Sequence, residues 1–288
     1  MTHPLDHLVL PTASLEVARA RLSLLGFTVS ARGKHPFGTE NCCVYFPDGT
    51  FVEPLAVTDQ DAADAAVIAG NVFVARDRLY REKFGPEGFS AVVFTNLDAD
   101  EDHRRYVGAD ISAGDRLDFS RPFVDASGQS DTVSFRLAFA ALPQMRENFV
   151  FACEKANALN IDRAALETHA NGVVAITQII AIASEPAKMM HFLGIAAAEA
   201  TCESDHRLNL PNAQIVVMTP ARYAEKFGLA CHEDNNFGFA AIVMAVADRQ
   251  AARRHLVSAG INHEIRDQRI IIAPAPGQGA AFIFEEQS

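Results

Sequence analysis

The chain has 288 residues, 49% hydrophobic and 21% charged, enough apolar material for one large or two medium globular domains. Its formal charge of -11 excludes a phosphate-backbone partner, because nucleic-acid binding needs clustered Lys and Arg. No apolar run is long enough to span a bilayer, and the opening MTHPLDHLVL lacks the charged and apolar regions of a signal peptide. Neither a membrane nor a nucleic acid is therefore an expected partner.

Taken in chain order, Leu5 to Leu10 is an apolar run that reads as a strand. Ser14 suits the N-cap of a helix whose Leu15, Ala18, Leu22 and Leu25 share one face, and Gly26 stops it. Phe27 to Ser30, Cys42 to Phe46 and Phe51 to Leu55 read as strands, the last two joined by a turn at Pro47-Asp48-Gly49. The unit is β-α-β-β-β. Asp59 to Gly70 and Asp77 to Phe84 read as helices, the second broken by KFGPEG. A second β-α-β-β-β unit follows, with strands at Phe89 to Thr95, Phe119 to Val124, Thr132 to Leu142 and Asn148 to Cys153, and a helix at Asp98 to Val107. Asn160 to Ala170 is the crossing segment.

The second half repeats the plan. Strands are expected at Val173 to Ile182, Ala198 to Glu203, Arg207 to Leu210, Gln214 to Thr219, Phe239 to Val246, His263 to Arg266, Ile270 to Ala273 and Ala281 to Glu285. Pro186 opens one helix, and Asp248 to Ala259 forms another before Gly260. YREKFG at Tyr80 to Gly85 recurs as YAEKFG at Tyr223 to Gly228, five of six residues alike, at an offset of 143 that is close to half the chain. Both copies precede a Gly-Phe pair and an apolar strand. The fold class is therefore α+β, with four tandem βαβββ modules, two in each half. The expected domains are residues 1–158 and 159–288.

Five cysteines (Cys42, Cys43, Cys153, Cys202 and Cys231) form no CxxC and read as reduced thiols of a cytoplasmic protein. No Walker, GxGxxG or GxSxG motif occurs, so nucleotide and serine-hydrolase chemistry have no support. In KHPFGTEN, Pro36 and Gly38 shape a turn, and Thr39 and Asn41 share a strand face by period-two alternation. That arrangement can place hydrogen-bonding groups at the mouth of a cleft, or cap its own backbone. His169, in THANGV, is a weaker candidate of the same kind.

The run LDHLVLPTASLEVARARLSLLGFTV, with GKHPFGTEN and FPDGTFVEPLAV, resembles the vicinal oxygen chelate superfamily, which includes glyoxalases, extradiol dioxygenases and antibiotic-resistance proteins. The resemblance extends to REKFGPEGFSAVVFTNLDAD and THANGV. It implies that paired units curl into open mixed-sheet barrels, two in all, around a cleft whose metal ligands come from first and fourth strands. Carried over by position, these are His7, Glu53 and Glu154, with Glu53 or Glu154 as general base, and His35, Thr39, Asn41 and His169 as substrate contacts. The implied cofactor is a divalent ion (Fe, Mn, Ni or Zn). The second unit has Ala91 at its first-strand position and Cys153-Glu154-Lys155 where Cys-Gln-His is expected. The third and fourth units have Gln178 and Ala241 there, with Glu285 as the one acidic fourth-strand residue.

Two functions follow. One is a metal-dependent lyase, isomerase or dioxygenase acting on a small oxygenated molecule. The other is a metal-free protein that sequesters a small ligand. A small molecule is the expected partner in both, and the chain is expected to be a monomer or homodimer.

Overall fold

The computed structural model describes residues 1–124, 130–142, 145–157, 163–199, 205–230 and 237–287. Cys202, Cys231 and the rest of residues 231–236, and parts of the expected Ala198 to Glu203 strand and of the crossing segment lie outside them. The first unit runs β1 (Leu5–Pro11), α1 (Leu15–Leu24), β2 (Arg32–Lys34), β3 (Thr39–Cys42), β4 (Val44–Tyr45) and β5 (Phe51–Val57). Helices α2 (Gln60–Ile68) and α3 (Val72–Phe84) lead to the second unit: β6 (Ala91–Asn96), α4 (Ala99–Gly108), β7 (Leu117–Val124), β8 (Ser130–Leu142) and β9 (Met145–Lys155). These nine strands form one mixed sheet with order β2-β3-β5-β1-β6-β9-β8-β7, β4 pairing with β5.

The second half contains β10 (Val173–Ala183), α5 (Pro186–Ala196), β11 (Arg207–Asn209), β12 (Gln214–Met218), α6 (Pro220–Phe227), β13 (Phe237–Val246), α7 (Arg249–Ser258), β14 (Glu264–Arg266), β15 (Arg269–Ile272) and β16 (Ala281–Glu286). Its seven strands form a second sheet, β11-β12-β10-β13-β16-β15-β14. The pairing rules repeat. β1 is parallel to β5 and antiparallel to β6, and β6 is parallel to β9. In the same way β10 is parallel to β12 and antiparallel to β13, and β13 is parallel to β16. Each half is thus an open mixed-sheet barrel of paired βαβββ units.

Three local expectations change. Residues 27–31 form no strand. Their hydrogen bonds go instead to His169, Thr168, Cys43 and the Arg19 guanidinium, which leaves no ladder to join. The Cys42 to Phe46 strand splits at Cys43, whose N–H bonds the Ser30 hydroxyl at 2.9 Å. Helix α3 begins at Val72 rather than Asp77, because the Asn71 side chain caps it by accepting from Val74 N–H at 3.1 Å.

Strand parity sorts the core. Leu8, Leu10, Val92 and Val150 face a large core that also holds Ile179, Ile242, Phe282 and Phe284 of the second half. Val9, Leu55, Ala91, Val93, Phe149, Phe151 and Cys153 face the interior of the first barrel. The second barrel's interior holds Ile180, Val216, Met218, Ala241, Val243, Ile271 and Ile283, closed by Tyr223 and Phe227 of α6.

Candidate functional site

The interior of the first barrel opens into a cleft of about 500 Å³, mouth included, of which about 60 Å³ admits the centre of a water molecule. Six phenylalanines line it: Phe37, Phe51, Phe73, Phe119, Phe135 and Phe151. Its polar groups are His7, His35, Asn41, Glu53, Arg121 and Lys155, with Cys153 beside them. Adjacent pairing of β1 with β5 brings His7 and Glu53 together. His7 Nε2 lies 3.2 Å from Glu53 Oε2, and both side chains are buried. The His7 ring stacks on Phe51 with centroids 4.4 Å apart.

The HPFGTEN turn delivers the other half of this polar floor. Gly38 has φ +84°, and a Cβ there would sit 2.4 Å from the Asp59 carbonyl, so only glycine lets the turn press against the start of α2. His35 then shares a 2.9 Å hydrogen bond between Nδ1 and Thr39 Oγ1. Asn41 donates from Nδ2 to Glu53 Oε1, and the same nitrogen lies 3.5 Å from His35 Nε2. With Nε2 as acceptor, the neutral ring carries its proton on Nδ1 and donates to Thr39.

Electrostatics separate the two histidines. Burial alone would lower the His7 pKa, but the Asp6 and Glu53 carboxylates outweigh it and raise it. Burial would raise Glu53, but His7, His35 and the Asn41 amide bring it down to about 2. His35 goes the other way. Burial, helped by Arg121 and His7 and opposed by Glu53, lowers it to about 4 and keeps it neutral. Asp6, though buried, is held at about 2 by His7 and by Lys155, whose Nζ lies 2.8 Å from Asp6 Oδ1. A register shift between Leu5 and His7 against β6 marks the bulge that carries these neighbours. Asp6 Oδ2 and His7 Nδ1 are 3.8 Å apart, beyond hydrogen-bond reach, and both are buried without a partner among the described residues.

Of the residues singled out in the sequence, His7, His35, Asn41 and Glu53 meet in this cleft, with Thr39 behind His35. Glu154 does not join them. On β9 the residues facing inward are Phe149, Phe151, Cys153 and Lys155, so the neighbouring Glu154 points to the opposite face. There it accepts from the Ala99 N–H at the start of α4 at 2.9 Å and lies 3.5 Å from Arg136. His169 is also elsewhere. Its Nδ1 accepts from Thr28 N–H at 3.1 Å and its Nε2 donates to the Tyr45 carbonyl at 2.9 Å, which ties the α1 exit to β4. The sequence reading missed Arg121, the Asp6–Lys155 pair and the phenylalanine wall. Alternation in LDFSRPFV, which puts Leu117, Phe119 and Arg121 on one face, was the available signal.

The residues present do not fit a divalent ion. His7 Nε2 faces the Glu53 carboxylate at 3.2 Å, and its Nδ1 is buried 3.8 Å from Asp6 Oδ2. Glu53 Oε1 accepts from Asn41, and Oε2 faces the His7 ring. The inward position beside Glu154 is Cys153, whose thiol pKa is pushed up by burial, and Lys155 adds a positive charge. Among the described residues no three His, Cys, Asp or Glu side chains converge on a metal position.

A glyoxalase-like domain model matches residues 5–197, two-thirds of the chain. The chain belongs to the glyoxalase-like domain family. A solved hypothetical protein from Staphylococcus aureus is similar at 13% identity and TM-score 0.63, over 98% of this chain and 99% of that one. A mutant of 4-hydroxymandelate synthase from Streptomyces coelicolor is similar at 13% identity and TM-score 0.63, over 99% and 93%. A xylose isomerase-like TIM barrel/4-hydroxyphenylpyruvate dioxygenase fusion protein is similar at 11% identity and TM-score 0.54, over 99% of this chain and 49% of that one. At these identities the likeness is one of fold, within the vicinal oxygen chelate superfamily. No curated protein matches the sequence.

A larger space, of about 1150 Å³ with its mouth included, lies between the halves among Tyr80, Phe89, Tyr223 and Phe239. Among the described residues its one carboxylate, Glu87, is engaged by the Gly277 N–H at 2.7 Å, and no comparable set of polar groups lines it.

Proposed function

We propose that this glyoxalase-like protein binds a small, largely apolar molecule in the cleft of its first barrel, without a metal. The observation that carries the reading is a hydrogen-bonded, charge-paired floor (His7, Glu53, Asn41 and His35) beneath a wall of six phenylalanines. Small-ligand sites are concave and mostly apolar, with a few convergent polar groups that fix orientation. Here the His7 ring stands against the Glu53 carboxylate, and the neutral His35 is an acceptor held in one tautomer. The domains we assign are residues 1–158, which carry the site, and 159–288, whose barrel interior is apolar and supports the first. We also propose a cytoplasmic setting, a reading supported by Cys42, Cys43 and Cys153, free thiols buried among the described residues. The cleft draws its described lining from one chain, which supports a monomer or a homodimer.

One observation favours a second reading, a lyase, isomerase or dioxygenase using Fe, Mn, Ni or Zn. His7 and Glu53 do stand on the first and fourth strands of one unit. Metal analysis of protein purified without chelator separates the two. The binding reading expects less than about a tenth of an equivalent of any of these metals, and no rise in Tm when they are added. Stoichiometric metal that disappears in His7→Ala would replace it with the metal-dependent enzyme.

A further inference from the structure

Arg121 stands out among the charged groups of the cleft. Lys155 is paired with Asp6 at 2.8 Å, and Glu53 faces His7 at 3.2 Å. Arg121 forms no ion pair among the described residues. Its guanidinium lies 5.6 Å from the centroid of the Phe135 ring and lines the cleft. The chain makes room for it. A Cβ on Gly33 would lie 2.6 Å from Arg121 Nη1 and 2.5 Å from Asn41 Oδ1, so the glycine opens the space that both polar ends occupy. A half-buried guanidinium with one ring beside it and, among the described residues, no carboxylate opposite is a receptor for a planar anion. The aromatic surface continues from it without a break. Phe119 stacks on Phe135 with centroids 5.0 Å apart, and Phe37 meets Phe119 edge-on at 5.2 Å.

We propose that the ligand of this cleft is an aromatic monocarboxylate, its ring held against Phe37, Phe119 and Phe135 and its carboxylate on the Arg121 fork. This rests on the small-molecule reading of the cleft given above. Among the described residues, one cation of the cleft without an ion pair matches a single negative charge. The restricted volume matches one ring rather than a fused system, and aromatic pairs favour the edge-on and offset contacts these walls present.

The probes are cinnamate and its neutral amide, cinnamamide, which share a ring and length and differ in charge. Calorimetric titration of the wild type near neutral pH is expected to show cinnamate binding at least about tenfold more tightly. In Arg121→Met the gap is expected to close, with the amide's affinity kept within about twofold as a check on the fold. Equal affinities in the wild type, or a gap that survives Arg121→Met, overturns the carboxylate assignment and leaves the cleft reading standing. If neither compound binds up to roughly 5 mM, the cleft reading itself fails and the assignment falls with it.

Discussion

At the scale of single residues, the site rests on two buried histidines whose pKa values are shifted in opposite directions. His35 has a folded pKa of about 4, below the ordinary imidazole value of 6.5, so it resists a proton that the unfolded chain accepts. Its contribution to stability is complete above 6.5 and is lost as pH falls towards 4. Glu53 and Asp6, held at about 2, contribute stability present above their unfolded values of 4.5 and 3.8 and lost as pH falls through 2. His7 has the reverse sign, its contribution being complete below 6.5 and fading as pH rises through its raised folded value. Urea unfolding of wild type and His35→Gln can isolate the first window. Between about pH 7 and about pH 5 the variant is expected to lose about 2 kcal/mol less than wild type. Equal losses would mean that His35 is not held neutral. The pairing of His7 with Glu53 was legible from the strand order of the resembling family. The contrast in pKa shift was not, because it depends on Asp6, Asn41 and Arg121, which a linear motif does not connect.

At the scale of elements, period-two alternation decides which residues reach the cleft. The sequence placed a metal ligand at Glu154, one position away from the inward-facing Cys153 and Lys155. A slip of one residue moves a side chain to the other face of a strand. On that face Glu154 supports α4, whose first N–H groups have no helical partner and whose N-terminus favours negative charge. Glu154→Gln is expected to lower stability by about 1 kcal/mol and to leave cinnamate affinity unchanged. A calorimetric titration in which Glu154→Gln weakens binding more than about threefold would return this residue to the site. The HPFGTEN turn was the most legible element, because Gly38 and the Thr39/Asn41 alternation each have a local cause. His169 was misread for a related reason. Its role is to bond Thr28 and Tyr45, residues more than a hundred positions away, and nothing in THANGV shows that.

At the scale of the whole molecule, the recurrence of YREKFG as YAEKFG was enough to divide the chain into two similar halves, and the matched strand pairings follow that plan. The degree of fusion between the halves was not visible in the repeat. Phe27 packs edge-on against Phe282 and Phe284, at 5.9 and 6.1 Å. The Asn212 side chain accepts from the Leu5 N–H at 2.8 Å and donates to its carbonyl at 3.0 Å, holding the outset of β1 beside the residue that carries His7. Asn212→Ala leaves both backbone groups without partners and is expected to cost about 2 kcal/mol by urea denaturation. Because one core draws on both halves, wild type is expected to unfold in a single calorimetric transition. Two resolved transitions would contradict a shared core.

Among the described residues, the second barrel shows no counterpart of this site. Gln178 stands opposite Val243 as His7 stands opposite Val93, and the surrounding interior is aliphatic. Glu285 is taken up by Arg269. The central claim is therefore that ligand enters the first barrel and not the larger space between the halves. A crystal structure of the protein soaked with cinnamate tests it most directly. The account predicts the ring between Phe119 and Phe37 above the His7–Glu53 pair, with the carboxylate at Arg121. Cinnamate found among Tyr80, Phe89, Tyr223 and Phe239, with the first-barrel cleft empty, would contradict it.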